Sequence, residues 1–284
     1  MRSPALRSIL VPTDFSEGAQ AALERALQLP VGPSTKVTLL HVLPEGIPGT
    51  LRDDAIHEAE RSLDKALARI ARTKETPRSL VGAVVEGDPT QHILKRSRTV
   101  EADLIVMGRH GRRVFADVFV GSTAQKVMRH GEVPVLLVQT APKAPYARPL
   151  LSLDTEKTTT TVVKRALTLL GPRVKRADVV HVARVPFEDF VVVSDHARDA
   201  FRAGFVKTST ARLAKLLKPL SAVRFNLNVL SGDARTLILS EATERRADVL
   251  VVGTHARTGL KRVLVGSVAE WLLQRAPCDV LVVR

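Results

Sequence analysis

Ala102-Asp103-Leu104-Ile105-Val106-Met107-Gly108 returns 145 residues later as Ala247-Asp248-Val249-Leu250-Val251-Val252-Gly253. In both places a short apolar run follows an Ala-Asp pair and stops at glycine. Gly87-Asp88 and Gly232-Asp233 keep the same offset, as do Gly121-Ser122 and Gly266-Ser267. Earlier landmarks repeat at 140 instead: Asp14 with Asp154, and His41-Val42 with His181-Val182. About five residues are therefore inserted between His181 and Gly232, and one unit of about 140 residues occurs twice. Pro142, Pro145 and Pro149 fall within the ten residues Thr140–Pro149. Such a stretch forms neither a helix nor a central strand, so it reads as a linker. The expected division is a first unit at 1–140, a linker at 141–149 and a second unit at 150–284.

Each unit alternates strand and helix signals. Ser8-Ile9-Leu10-Val11-Pro12 is a short apolar run that ends in a turn at Thr13–Ser16. Ser16 is an N-cap candidate for a helix through Leu29, with Ala19, Ala22, Leu23, Ala26 and Leu27 on one face. Further strands are expected at 35–42, 80–85, 104–107 and 133–139. Helices are expected at 51–71, 90–100 and from 122 to 129. The strands are continuously apolar rather than alternating, which is the pattern of a parallel sheet covered on both faces. The fold class is α/β: two similar domains, each a five-stranded parallel sheet sandwiched by helices, Rossmann-like. In such sheets ligands bind beyond the carboxyl ends of the strands, where the strand order reverses. The apolar fifth strands, 134–138 and 280–283, are hazards if left at an open edge. They are expected to pair the two domains within the chain, and a homodimer of the whole chain is compatible with that.

The 284 residues carry 43 Lys+Arg against 29 Asp+Glu, a formal net charge of +14. The excess is uneven, +4 over residues 1–145 and +10 over 146–284. A field of this sign attracts polyanions but names no partner. One Trp, one Tyr and eight Phe give no basic-aromatic interleaving for a single-strand platform, and nucleic acid is not an expected partner. Arg165, Lys175, Arg176, Arg212, Lys215, Lys218, Arg245, Arg246, Lys261 and Arg262 read mostly as polar helix faces. Phe187–Phe205 carries several large apolar residues, including Phe201; core packing is expected for them, with cover of a pocket or contact with a partner as the alternative. Cys278 is the single cysteine, so neither a disulfide framework nor a Cys-rich metal module is available. No apolar run is long enough for a membrane span or a signal peptide, and the expected compartment is the cytoplasm.

The informative loop follows the fourth strand. Gly108-Arg109-His110-Gly111 is separated by nine residues from Gly121-Ser122-Thr123, which opens a helix. Glycine after a buried strand lets backbone approach a ligand, and successive amides in such turns form anion-binding concavities. A helix start adds unsatisfied N–H groups and the positive end of its dipole. These parts suit a polyphosphate, although glycine-bearing loops between strand and helix are also common without one. The second unit has Gly253-Thr254-His255-Ala256 and Gly266-Ser267-Val268 in the same places. Ala256 replaces a glycine and Val268 replaces a hydroxyl.

Taken in order, Val11-Pro12-Thr13-Asp14, His41-Val42, Glu86-Gly87-Asp88-Pro89, Ala102–Gly108 and the glycine run resemble the universal stress protein family in its tandem form. The resemblance covers nearly the whole chain. It implies a fold related to adenine-nucleotide-binding folds and an ATP site in the first unit, with or without Mg²⁺. Carried over residue by residue, Asp14 and Val42 would face the adenosine, with Pro12, Thr13 and Met107 completing the site. Gly108, Arg109, Gly111, Gly121, Ser122 and Thr123 would hold the phosphates. Asp154, Val182, Gly253, Gly266 and Ser267 are the doubtful counterparts in the second unit. A stress-response or regulatory module is implied, with a scaffold or chaperone-like protein of the same fold as the alternative. An enzyme of a related adenylating family is the third reading. No P-loop, nucleophile elbow, metal-ligand spacing or paired carboxylates stand out, so an efficient ATPase is not expected. His41 and His181 read as structural residues at strand ends.

Overall fold

Strand β1 (Ser8–Thr13) shows how the sheet is built: Ile9 and Val11 enter one apolar layer while Leu10 enters the other. The computed structural model describes residues 6–71, 79–109, 120–183, 194–253 and 266–284. In the first unit β1 is followed by α1 (Glu17–Gln28), β2 (Lys36–Leu43), α2 (Gly49–Ala71), β3 (Ser79–Glu86), α3 (Pro89–Thr99), β4 (Leu104–Gly108), α4 (Ser122–His130) and β5 (Val135–Val138). The second unit repeats this as β6 (Pro149–Ser152), α5 (Thr159–Leu170), β7 (Arg176–Ala183), α6 (Asp195–Leu217), β8 (Arg224–Ser231), α7 (Ala234–Glu244), β9 (Val249–Gly253), α8 (Ser267–Arg275) and β10 (Asp279–Val283).

All ten strands form one sheet in the order β3-β2-β1-β4-β5-β10-β9-β6-β7-β8. Every neighbouring pair is parallel except β5 and β10, which run antiparallel with Leu136 opposite Leu281. Both strands are buried along their whole length, so their ladders and apolar side chains are covered together. One apolar layer holds residues of α1, α2, α5 and α6, and the other holds residues of α3, α4, α7 and α8.

Local chemistry repeats with the topology. Asp88 and Asp233 cap α3 and α7 by accepting from the amides of Gln91 and Thr236. Gly87 and Gly232 precede them at φ +146° and +141°, a region closed to residues with a Cβ. Glu101 and Arg246, one residue past the C-caps of the same two helices, both adopt the left-handed conformation at φ 46° and 50°. Asp103 accepts from the amides of Arg7 and Ser8 at 2.7 and 3.0 Å, and Asp248 does the same for Ala147 and Arg148 at 2.7 and 2.9 Å. The acid of the repeated Ala-Asp pair therefore fastens the entry of the neighbouring strand.

A polar cluster that the repeat does not share joins the two units. The Arg25 guanidinium donates to Asp279 at 3.1 Å and to the Ala144 carbonyl at 2.8 Å. Tyr146 donates its hydroxyl to Asp279 at 2.6 Å, and the Gln139 amide donates to the other carboxylate oxygen at 2.8 Å. Arg25 also lies over the Tyr146 ring, 4.1 Å from its centroid. Arg25 and Asp279 are 6% and 4% exposed, so this is a buried pair anchoring the linker between α1 and β10. Burial pushes the Asp279 carboxyl above its ordinary range, against the opposing pull of these donors, and raises the Tyr146 hydroxyl well above 10.

Two expectations change. Phe201 is half exposed and stacks edge-on with Phe205, its ring 4.9 Å away, instead of entering the core. Residues 187–193 of the same segment lie outside the described residues. Lys175 and Arg176 sit in a turn and at the head of β7, not on a helix face.

Candidate functional site

The strand order reverses between β1 and β4, because β2 lies on one side of β1 and β4 on the other. Pairing of Thr13 with His41, of Leu10 with Ile105 and of Gly108 with Val138 aligns the carboxyl ends of β2, β1, β4 and β5. Pro12 and Thr13 end β1, Asp14 follows it, Val42 is the penultimate residue of β2, and Met107 and Gly108 end β4. Gly121 is the N-cap of α4, with Ser122 and Thr123 its first residues. The fold thus brings Pro12, Thr13, Asp14, Val42, Met107, Gly108, Gly121, Ser122 and Thr123 to one end of the first unit. Gly111, with His110 and Arg112, lies outside the described residues, as do Thr254–Ala256. In the second unit Asp154, Val182, Gly253, Gly266 and Ser267 occupy the matching ends of β6, β7, β9 and α8.

The two glycine positions of this site have different causes. At Gly108 a Cβ would lie 2.5 Å from backbone atoms of Gly18, so the bare position is demanded by the packing of α1 on β4. At Gly121 a Cβ would meet only the Arg109 carbonyl, at an ordinary 3.5 Å, and at Gly266 nothing within 4 Å. Their φ angles of −56° and −62° are open to any residue. Neither N-cap position has a side-chain cap. The helical bonds of α4 begin with the Gln125 amide donating to Gly121, leaving the amides of Ser122, Thr123 and Ala124 without a helical acceptor.

Other side chains here have tasks of their own. Asp14 accepts from the Ser16 amide at 3.1 Å and from the Ser16 hydroxyl at 2.5 Å, and Ser16 in turn caps α1 through the Ala19 amide. The carboxylate thus braces the cap instead of capping the helix directly. The His41 ring nitrogen Nδ1 lies 2.8 Å from the Thr13 carbonyl, and His181 repeats the contact with Leu153 at the same distance. The Arg109 guanidinium donates to Gln139 at 2.6 Å and to the Gln274 carbonyl of α8, at the seam between the units. Arg129 and Glu270 pair at 2.6 Å across the same seam.

Sequence reasoning missed Phe15. It holds φ at 59°, uncommon for a bulky residue, and stacks on His41 with centroids 4.5 Å apart. Asp14-Phe15-Ser16 signalled only a turn, and no residue pattern announces a left-handed phenylalanine. The second unit has Thr155 there, without a positive φ. The described residues hold no cluster of three or more His, Cys, Asp or Glu fit for a metal ion, and no described helix is long and apolar enough to cross a membrane.

Comparison with known proteins identifies the family. The model of the universal stress protein family matches residues 5–139 and again 146–284. A universal stress protein of Methanocaldococcus jannaschii is 28% identical over 155 residues, covering 47% of this chain and 94% of its own length. One from Thermus aquaticus is 30% identical over 139 residues, covering 47% of this chain and 98% of its own. The crystal structure of a universal stress protein from Archaeoglobus fulgidus superposes over 98% of both chains with a TM-score of 0.72 at 19% identity, which speaks for the fold alone. With both halves matched, the chain belongs to the universal stress protein family and carries its domain twice.

Proposed function

We propose that the first unit binds an adenine nucleotide, ATP with Mg²⁺, and that the chain acts as a nucleotide-responsive regulatory module of the stress response rather than as an enzyme. What supports the reading is the N-cap of α4. Gly121 is a glycine that the described packing does not require, at a helix start with no side-chain cap and three amides free of helical acceptors. An anion is the group such an end takes best. The neighbouring ends of β1 and β2 would hold the nucleoside, and Ser122 and Thr123 would add hydroxyl donors to the phosphates. Gly111 belongs to the same proposal. Arg109 does not, because its side chain is engaged at the seam. The corresponding end of the second unit, with Val268 for Thr123, is proposed as the weaker site.

The test is a thermal shift with Mg·ATP. A ligand at 100 times its dissociation constant stabilises the folded state by about 2.7 kcal/mol. Gly121→Ala should cost the unliganded protein no more than about 1 kcal/mol, since a Cβ is tolerated and only the N-cap preference is lost, yet reduce the shift. Gly111→Ala and Asp14→Ala should reduce it as well. No shift at millimolar ATP favours the scaffold reading. Release of AMP and pyrophosphate only with an added acceptor favours an adenylating enzyme.

A further inference from the structure

The amino ends of β6, β7 and β8 carry a row of arginines. Arg176 and Arg224 are register partners at the heads of β7 and β8. Arg148 stands two residues before Leu150, which pairs with Asp178, so it falls level with Arg176. Neighbouring strands lie about 4.8 Å apart, which puts the three Cα atoms within about 10 Å. Arg246 occupies the left-handed turn beside them, and Arg173 and Lys175 the turn before β7, where the Lys175 carbonyl accepts from the Arg224 amide at 3.0 Å. All six side chains are exposed, and among the described residues none makes a hydrogen bond or an ion pair. The carboxylates at this end have other partners. Asp248 holds the amides of Ala147 and Arg148, Asp178 and Glu241 hold Arg245, and Glu244 accepts from Ser240.

The first unit is an internal control. Its six equivalent positions are Ser8, Pro33, Thr35, Lys36, Ser79 and Glu101, with Ser8, Lys36 and Ser79 in the matching row. Formal charge there is zero, against +6 in the second unit. The same backbone therefore stands without these cations, and the fold does not account for them.

We infer that this edge of the second unit docks the phosphate backbone of duplex nucleic acid without regard to base sequence. Five of the six cations are arginine, whose planar fork matches phosphate oxygens in pairs, whereas an acidic bilayer is served equally by lysine. The large apolar side chains exposed among the described residues are Leu51 and Val81 of the first unit and Phe201 near the start of α6, none of them in this row, so neither base stacking nor insertion into a lipid interface is provided. The row is made of strand heads and the turns beside them and contains no helix or ribbon to enter a groove, which leaves contacts to phosphate that position without specifying. The absence of basic-aromatic interleaving counts against single strands and leaves this mode untouched.

The test is fluorescence anisotropy of the full chain with a labelled duplex of arbitrary sequence, about 20 base pairs long, across a salt series. R148S/R224S installs the residues of the first unit. It should weaken binding at least about tenfold at low salt and lower the slope of log K against log salt by about 1.8, at about 0.9 for each phosphate no longer neutralised. K65S/K95S removes the same charge elsewhere and should change affinity less than about threefold. Equal loss in both variants overturns the inference, as does absence of duplex binding. Binding to phosphatidylserine vesicles without duplex binding also overturns it, in favour of a membrane. Should the serine pair fail to fold, R148K/R224K decides: several-fold weaker binding with an unchanged salt slope upholds it, and unchanged affinity sinks it.

Discussion

The two units share a backbone and the side chains that fasten its main chain, and diverge in the side chains that bind one another. Asp103 and Asp248, His41 and His181, Asp88 and Asp233, Glu101 and Arg246 sit at matching places, and every one of these pairs marks the same feature of the main chain. Arg25 is a buried link to Asp279, whereas its counterpart Arg165 is exposed and donates to the Arg284 carbonyl. Where the second unit holds the network of Asp178, Asn226, Asn228, Glu241 and Arg245, the first has Thr38, Val81, Ala83, Arg96 and Val100. Duplication preserved the groups that fix backbone geometry and left the others free to specialise.

The largest expected effect lies in the Arg25 and Arg165 pair. Arg25→Met strands the Asp279 carboxylate in a buried setting and should cost about 3–5 kcal/mol at pH 7 in denaturant unfolding. Arg165→Met should cost less than about 1 kcal/mol, as an exposed contact does. The Arg25→Met loss should also shrink as pH falls towards about 4. Burial holds the Asp279 pKa above its unfolded value, so the native variant takes up the proton more tightly than the unfolded chain. A pH-independent loss would show that the carboxylate is not the group that bears the penalty.

Gly108 and Gly253 should differ by less. Gly108→Ala forces a Cβ to 2.5 Å from Gly18 backbone and should cost about 1–3 kcal/mol. At Gly253 the nearest atom is a Val162 methyl at 3.4 Å, so Gly253→Ala should stay within about 1 kcal/mol. Equal melting points for the two variants would remove the claim that α1 packs directly on the end of β4. The smallest effect tests what the units have in common. Glu101→Gly and Arg246→Gly relieve the same left-handed turn, so each should stabilise by about 0.5 kcal/mol. Unequal effects would mean that one of the two turns is held by something beyond its φ angle.

Much of the architecture was legible from residue order. The doubled Ala-Asp run gave the repeat, the apolar runs placed each strand to within one or two residues, and Ser16 was rightly read as a cap. These features are local, set by periodicity and by side chains that satisfy backbone within a few residues. The fates of Arg25 and Arg109 were not legible, because their partners, Asp279 and Gln274, lie 254 and 165 residues away and no spacing encodes such pairings. A hint did exist, since Asp279 is an acid at the head of an apolar strand where the first unit has Pro134. Gly108 shows the other limit. A glycine needed by a ligand and one needed by a helix look identical in a sequence, and only the position of Gly18 separates them. The row Arg148, Arg176, Arg224 was hidden because its members are scattered along the chain and meet only through strand register.

The antiparallel seam between β5 and β10 turns the second unit end for end. The two glycine-headed helix starts, on α4 and α8, therefore open on opposite rims of the sheet. The same reversal sets the arginine row of the second unit on the rim where β1, β2 and β4 of the first unit finish. Whatever occupies either place shares that rim with the other across four strand spacings, about 20 Å from β4 to β6.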